Sequence, residues 1–115
     1  MKKNTSAKQL VPSPKTILVI GNGGRENSLA WALTKSSTVE SVLVSPGNGG
    51  TKTIPGCLQI DVNQDDFFEL LRICKEKKID LIVIGPEAPL ANGLADRFRS
   101  EGFEVFGPGI EGAKL

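Results

Sequence analysis

Residues 17–27, Ile-Leu-Val-Ile-Gly-Asn-Gly-Gly-Arg-Glu-Asn, restrict this chain more than any other stretch. Four consecutive apolar residues suit a strand covered on both faces, as in a parallel sheet. Gly21, Gly23 and Gly24 follow within four positions. A backbone without Cβ atoms can turn sharply there and let another group come close. Residues 25–35 then read as a helix. Strand, glycine turn and helix in succession aim backbone N–H groups and the positive end of a helix dipole at one point, where an anion is favoured. A tight βα connection with no ligand has the same signature, so the turn alone leaves both readings open.

The rest of the chain repeats the strand–helix alternation. Residues 40–44 form a second strand that ends in Ser45-Pro46-Gly47-Asn48-Gly49-Gly50-Thr51, a second glycine-rich loop. Residues 57–60 make a short third strand. Asn63 is placed to cap a second helix, with Asp65 and Asp66 in its first turn, where carboxylates favour the dipole. Phe67, Leu70, Leu71 and Cys74 recur at helical spacing and give that helix one apolar face. Lys75, Lys77 and Lys78 suit its solvated carboxyl end. Residues 80–84 are the fourth strand, opening into Gly85-Pro86-Glu87-Ala88-Pro89. Pro89 fits the first position of a third helix. Leu90, Leu94 and Phe98 mark its buried stripe, and Gly102 its stop. Residues 104–106 are the fifth strand, closed by Gly107-Pro108-Gly109. Residues 110–115 read as the first turn of a helix that is cut off.

This order, β-α-β-β-α-β-α-β, implies an α/β fold: an open, mostly parallel five-stranded sheet with helices on both faces. Right-handed crossovers bring the three glycine-rich loops to the carboxyl ends of strands one, two and four. Ligands bind at that edge, near the topological switch point. Residues 1–15 are polar, contain Pro12 and Pro14, and read as a disordered leader. Residues 16–115 read as one domain.

Composition narrows the function. Fourteen basic residues against thirteen acidic ones give a net charge of +1, which argues against a general nucleic-acid or membrane surface. No apolar run approaches the roughly 20 residues of a membrane span. Cys57 and Cys74 suggest neither a disulfide framework nor a metal site, and a reducing cytoplasm fits. The sequence contains no histidine, so imidazole catalysis is excluded within it.

A dinucleotide fingerprint requires Gly-x-Gly-x-x-Gly/Ala and an acid at the end of the second strand. Gly21 and Gly23 match, but Glu26 takes the third position, and Ser45-Pro46 ends the strand without a carboxylate. NAD and NADP are therefore expected not to bind. No Gly-Lys-Ser/Thr follows, so a P-loop fits less well. A small phosphorylated molecule remains, cradled by N–H groups of residues 22–25 with charge from Arg25. Glu87 is placed to accept hydrogen bonds from sugar hydroxyls or to sit in solvent. Asn48 reads either as a turn residue with a left-handed backbone or as a ligand-facing amide. Trp31, Phe67 and Phe68 read as core.

Four motifs in order now point to one family: Ile20-Gly-Asn-Gly-Gly-Arg-Glu-Asn-Ser-Leu-Ala-Trp31, Ser45-Pro-Gly-Asn-Gly-Gly-Thr51, Ile84-Gly-Pro-Glu-Ala-Pro-Leu90 and Val105-Phe-Gly-Pro108. Over residues 16–115 the chain resembles phosphoribosylamine–glycine ligase, also called glycinamide ribonucleotide synthetase. The resemblance implies a Rossmann-like N-terminal domain of the kind that precedes an ATP-grasp module, cut before that module. In that family ATP activates the glycine carboxylate as an acyl phosphate, which the amine of 5-phosphoribosylamine attacks in de novo purine synthesis. It implies that Gly23, Gly24, Arg25 and Glu87, with Asn48 and Gly49, hold phosphoribosylamine, the N–H groups of Gly23, Gly24 and Arg25 taking its 5-phosphate. It also implies that ATP and Mg²⁺ or Mn²⁺ are bound by the ATP-grasp and C-terminal parts of the same enzyme. This chain then holds no cofactor or metal and is inactive alone. The family's first loop usually reads Gly-Arg-Glu-His, and Asn27 stands here at the histidine position.

Two other functions compete. One is a nicotinamide-dependent Rossmann domain, which soaking with NAD and with phosphoribosyl compounds separates from the first. The other is a non-catalytic sensor or interaction domain derived from the ligase, which a longer reading frame beyond Leu115 would argue against.

Overall fold

The computed structural model of the chain describes residues 14–85 and 91–107. Five strands form one sheet: β1 (Thr16–Gly21), β2 (Ser41–Pro46), β3 (Cys57–Gln59), β4 (Leu81–Ile84) and β5 (Val105–Phe106). Three helices alternate with them: α1 (Gly24–Thr34), α2 (Phe67–Glu76) and α3 (Ala91–Ser100). The sheet order is β3-β2-β1-β4-β5, and every adjacent pair is parallel. The chain moves outward from β1 to β2 and β3, then returns to β4 on the other side of β1. The switch point therefore lies between the carboxyl ends of β1 and β4.

β1 is buried on both faces because its residues alternate between two cores. Leu18 and Ile20 join Leu43, Ile82 and Ile84 under α2 and α3, against Phe67, Leu70, Cys74, Leu94, Ala95 and Phe98. Ile17 and Val19 join Val42, Val44 and Val83 on the opposite face, against Ala30 and Leu33 of α1. Helices thus cover both faces, as expected. The Phe98 ring lies 4.9 Å from Phe67 and edge-on to Phe103 at 6.1 Å.

The lower edge is tied as well. Asp80 Oδ2 accepts from the N–H groups of Lys15 and Thr16, and the Lys15 carbonyl accepts from Glu40 and Ser41. Lys15, just before β1, is thus bonded to the ends of β2 and β4. Residues 1–13 lie outside the described residues, as do Glu87, Pro89, Leu90 and residues 108–115.

Three local expectations need correction. Asp66, not Asn63, caps α2: its carboxylate accepts from the Glu69 N–H at 3.3 Å, and Asp65 lies before the helix. Asn63 instead closes the preceding turn, its carbonyl accepting from Asp66. Trp31 and Phe68 are not core but 51% and 74% exposed. α1 meets the sheet through Glu26, Ala30 and Leu33, which puts Trp31 to the side, with Lys35 Nζ 5.0 Å from its ring. Phe67 takes the inward position at the start of α2, and Arg97 stacks on it at 3.8 Å. Gly102 ends α3 as expected, with φ +93°.

Both thiols are free. Burial raises the Cys57 thiol and pushes Cys74 up to about 12. The thiolate is the reactive form, so Cys74 should stay unlabelled by iodoacetamide in the folded chain at pH 8, while Cys57 labels slowly. Both should label in urea, and peptide mass spectrometry reads the difference. The sign of the pH effect follows. An unfolded thiol ionises near 9 and the folded Cys74 does not, so its contribution to stability is intact below about 9 and is lost as pH rises toward 12. Native labelling of Cys74 at the rate of Cys57 would show that it is not in the core.

Candidate functional site

The carboxyl ends of β1, β2 and β4 are held together by backbone bonds. The Gly47 N–H donates to the Gly21 carbonyl and the Gly85 N–H to the Ile20 carbonyl, each at 3.0 Å. The first, second and third glycine-rich loops thus leave the sheet side by side. Residues 86–90 of the third loop, Glu87 included, lie outside the described residues.

Glu26 sits at the centre of this edge. It occupies the third helical position of α1 and is 4% exposed. Its Oε1 accepts from the Gly23 N–H at 2.8 Å, the carboxylate half of a capping box. The carboxyl group also lies against both flanking glycines. A Cβ added at Gly21 or at Gly85 would come within 2.7 Å of Glu26 Cδ. Gly21 has φ +154°, a conformation that side chains disfavour. A side chain at either glycine would therefore require the Glu26 side chain to shift. Gly23 itself is extended, with φ −103° and ψ 175°. Its N–H is committed to Glu26, which corrects the expectation that it faces a phosphate. Gly24 and Arg25 open the helix and are exposed, and a Cβ at Gly24 or Gly49 would meet nothing within 4 Å.

The first two loops are also linked through side chains. Asn48 Oδ1 accepts from Asn27 Nδ2 at 2.7 Å and from the Gly50 N–H at 2.8 Å. Asn48 Nδ2 donates to the Asn22 carbonyl at 2.7 Å. The fully buried Thr51 hydroxyl donates to Asn27 Oδ1 at 2.6 Å and accepts from the Asn48 N–H at 2.9 Å. Asn48 is absent from the residues with positive φ, so it is not the left-handed turn residue that the sequence offered as one reading. Its amide is a bridge between loops. Gln59 Nε2 supports the second loop through the Pro46 carbonyl at 2.7 Å.

Among the sequence-derived candidates, the structure places Gly23, Gly24, Arg25, Asn48 and Gly49 on the two linked loops. Sequence reasoning missed Glu26, Asn27 and Thr51 as the groups that set the loop geometry. A signal existed for Glu26, an acid three residues after a glycine at a helix start. Nothing local marked Thr51, which meets Asn27 across 24 residues.

Comparison with known proteins agrees with this architecture. A family model described as phosphoribosylglycinamide synthetase, N domain, matches residues 15–115. A phosphoribosylamine–glycine ligase of Escherichia coli K12 is 46% identical over 99 residues, 86% of this chain and 23% of the relative. A ligase of the same name from Nostoc is 43% identical, with the same coverage. The human trifunctional purine biosynthetic protein adenosine-3 is 48% identical over 99 residues, 86% of this chain and 10% of that protein. The chain therefore spans about a quarter or less of the length of these relatives. With a match over residues 15–115, the chain belongs to the phosphoribosylglycinamide synthetase N-domain family.

Proposed function

We propose that this chain binds 5-phosphoribosylamine as the N-terminal domain of a phosphoribosylamine–glycine ligase in de novo purine synthesis. The family match over residues 15–115 carries the reading, because those residues include the sheet and both linked loops. In this reading the 5-phosphate lies over the start of α1. The N–H groups of Gly24 and Arg25 and the Arg25 guanidinium hold it. The positive end of the helix dipole lies at the same point and favours an anion there. Gly23 borders the phosphate and contributes backbone shape. Asn48 and Gly49 wall the adjoining side, Asn48 by fixing its loop and Gly49 by leaving space. Glu87 accepts hydrogen bonds from the ribose hydroxyls.

No group of three or more His, Cys, Asp or Glu among the described residues could hold a metal ion. We assign ATP, Mg²⁺ or Mn²⁺ and the activation of glycine to the ATP-grasp and C-terminal domains of the same ligase, and place the enzyme in the cytoplasm. No described helix is long and apolar enough to cross a membrane.

Glu87→Gln in the full-length ligase tests the sugar contact. Losing a charged hydrogen bond costs about 1–3 kcal/mol, so kcat/KM for phosphoribosylamine should fall roughly 5- to 150-fold. Unchanged kinetics at both limiting and saturating phosphoribosylamine would remove Glu87 from the site.

A further inference from the structure

Glu26 has a role that the ligase reading leaves open. The sheet order puts the switch point between β1 and β4, and in open α/β sheets a dinucleotide places its pyrophosphate there, against the first helix. In the dinucleotide fingerprint the first turn is Gly-x-Gly-x-x-Gly, and the third glycine lets helix and strand approach closely. This chain supplies Gly21 and Gly23 at the first two positions and Glu26 at the third. The side chain does not swing out to solvent. It folds back over the strand ends and is 4% exposed. Its carboxyl carbon lies 2.7 Å from where a Cβ at Gly21 or at Gly85 would stand, and its Oε1 takes the Gly23 N–H. One internal anion thus fills the space and uses a donor that a pyrophosphate would need.

We propose that Glu26 is a specificity-determining residue that bars dinucleotides from the crevice between β1 and β4 by occupying it. The barrier is chiefly one of volume. The two glycines beside it are accordingly matched to the carboxylate rather than to a ligand. A phosphorylated ligand is left to bind farther out, over Gly24 and Arg25. This inference concerns what the crevice rejects, so it stands or falls separately from phosphoribosylamine binding.

Three variants of this chain decide it, with NAD⁺ as the probe and backbone amide shifts of residues 21–26 as the readout. Glu26→Gly supplies the third glycine and empties the space. Glu26→Ala empties most of it while keeping a good helix former, and stands in if the glycine variant does not fold. Glu26→Gln keeps the volume and removes the charge. The wild type and Glu26→Gln should show no saturable shift at millimolar NAD⁺. Glu26→Gly, or Glu26→Ala in its place, should bind at least tenfold more tightly than the wild type. Circular dichroism and the thermal midpoint establish that each variant is folded. Saturable binding by the wild type would overturn the proposal. So would the absence of any gain in a folded Glu26→Gly or Glu26→Ala, or a gain in Glu26→Gln equal to theirs.

Discussion

Gly21→Ala should destabilise the chain by about 2–5 kcal/mol, the sum of positive-φ backbone strain and crowding of the buried Glu26 side chain. Both causes are present at this position. The φ of +154° is one an L side chain rarely adopts, and the new methyl would overlap the buried Glu26 carboxyl. Typical domains have only about 5–15 kcal/mol of stability, so the urea midpoint should fall conspicuously. Gly85→Ala should also destabilise, by about 1–3 kcal/mol, but from overlap alone, because Gly85 is not among the glycines with positive φ. Gly24→Ala is the internal control. Its Cβ meets nothing within 4 Å and it begins a helix, so the change should be neutral or stabilising by about 0.4–1 kcal/mol.

A double-mutant cycle separates the two causes. Glu26→Ala removes the group that both methyls strike. Combined with Gly85→Ala it should recover about 0.5–3 kcal/mol relative to additivity. Combined with Gly21→Ala it should recover less of the loss, because the backbone strain remains. Full additivity at Gly85 would mean that the Glu26 carboxyl does not lie between the two strand ends.

These contacts also mark where the sequence stops being legible. β1, β2 and β4 are visible because a strand buried on both faces needs an unbroken apolar run, and 17–20, 42–44 and 81–84 supply it. α2 is visible because Phe67, Leu70 and Cys74 repeat at helical spacing, although Ile73 is also buried. α1 is harder, because its inward face consists of Glu26, Ala30 and Leu33 rather than an apolar stripe. Trp31 and Phe68 look like core by residue type alone, and only the direction each helix presents to the sheet shows otherwise. The glycine loops could be located from sequence, but not what each glycine is for. Gly21 and Gly85 are far apart in the chain, and the sequence does not show that one carboxylate lies against both. Glu26 is visible in sequence as a failed fingerprint and as an acid three residues after a glycine at a helix start, but neither shows what it packs against.

Thr51→Val should cost about 2–4 kcal/mol, although the two side chains have nearly the same shape. The hydroxyl is fully buried and makes two hydrogen bonds, to Asn27 Oδ1 and from the Asn48 N–H. Valine would leave both partners unpaired, at about 1–3 kcal/mol each less whatever water recovers. Thr51→Ser keeps the hydroxyl and loses one methyl, so about 1 kcal/mol is expected. Urea unfolding ranks the two, and hydrogen exchange locates the damage. The amides of Asn48 and Gly50 should exchange faster in Thr51→Val, with β1 unchanged. The same bridge gives Asn27, which stands where the resemblance implies histidine, a structural role. The bridge requires one acceptor toward Thr51 and one donor toward Asn48. A carboxamide supplies both, and so does a neutral imidazole. Asn27→His should therefore be tolerated better than Asn27→Leu, which offers neither. A Thr51→Val variant within 0.5 kcal/mol of wild type, or equal losses for Asn27→His and Asn27→Leu, would show that the loops are not joined by these bonds.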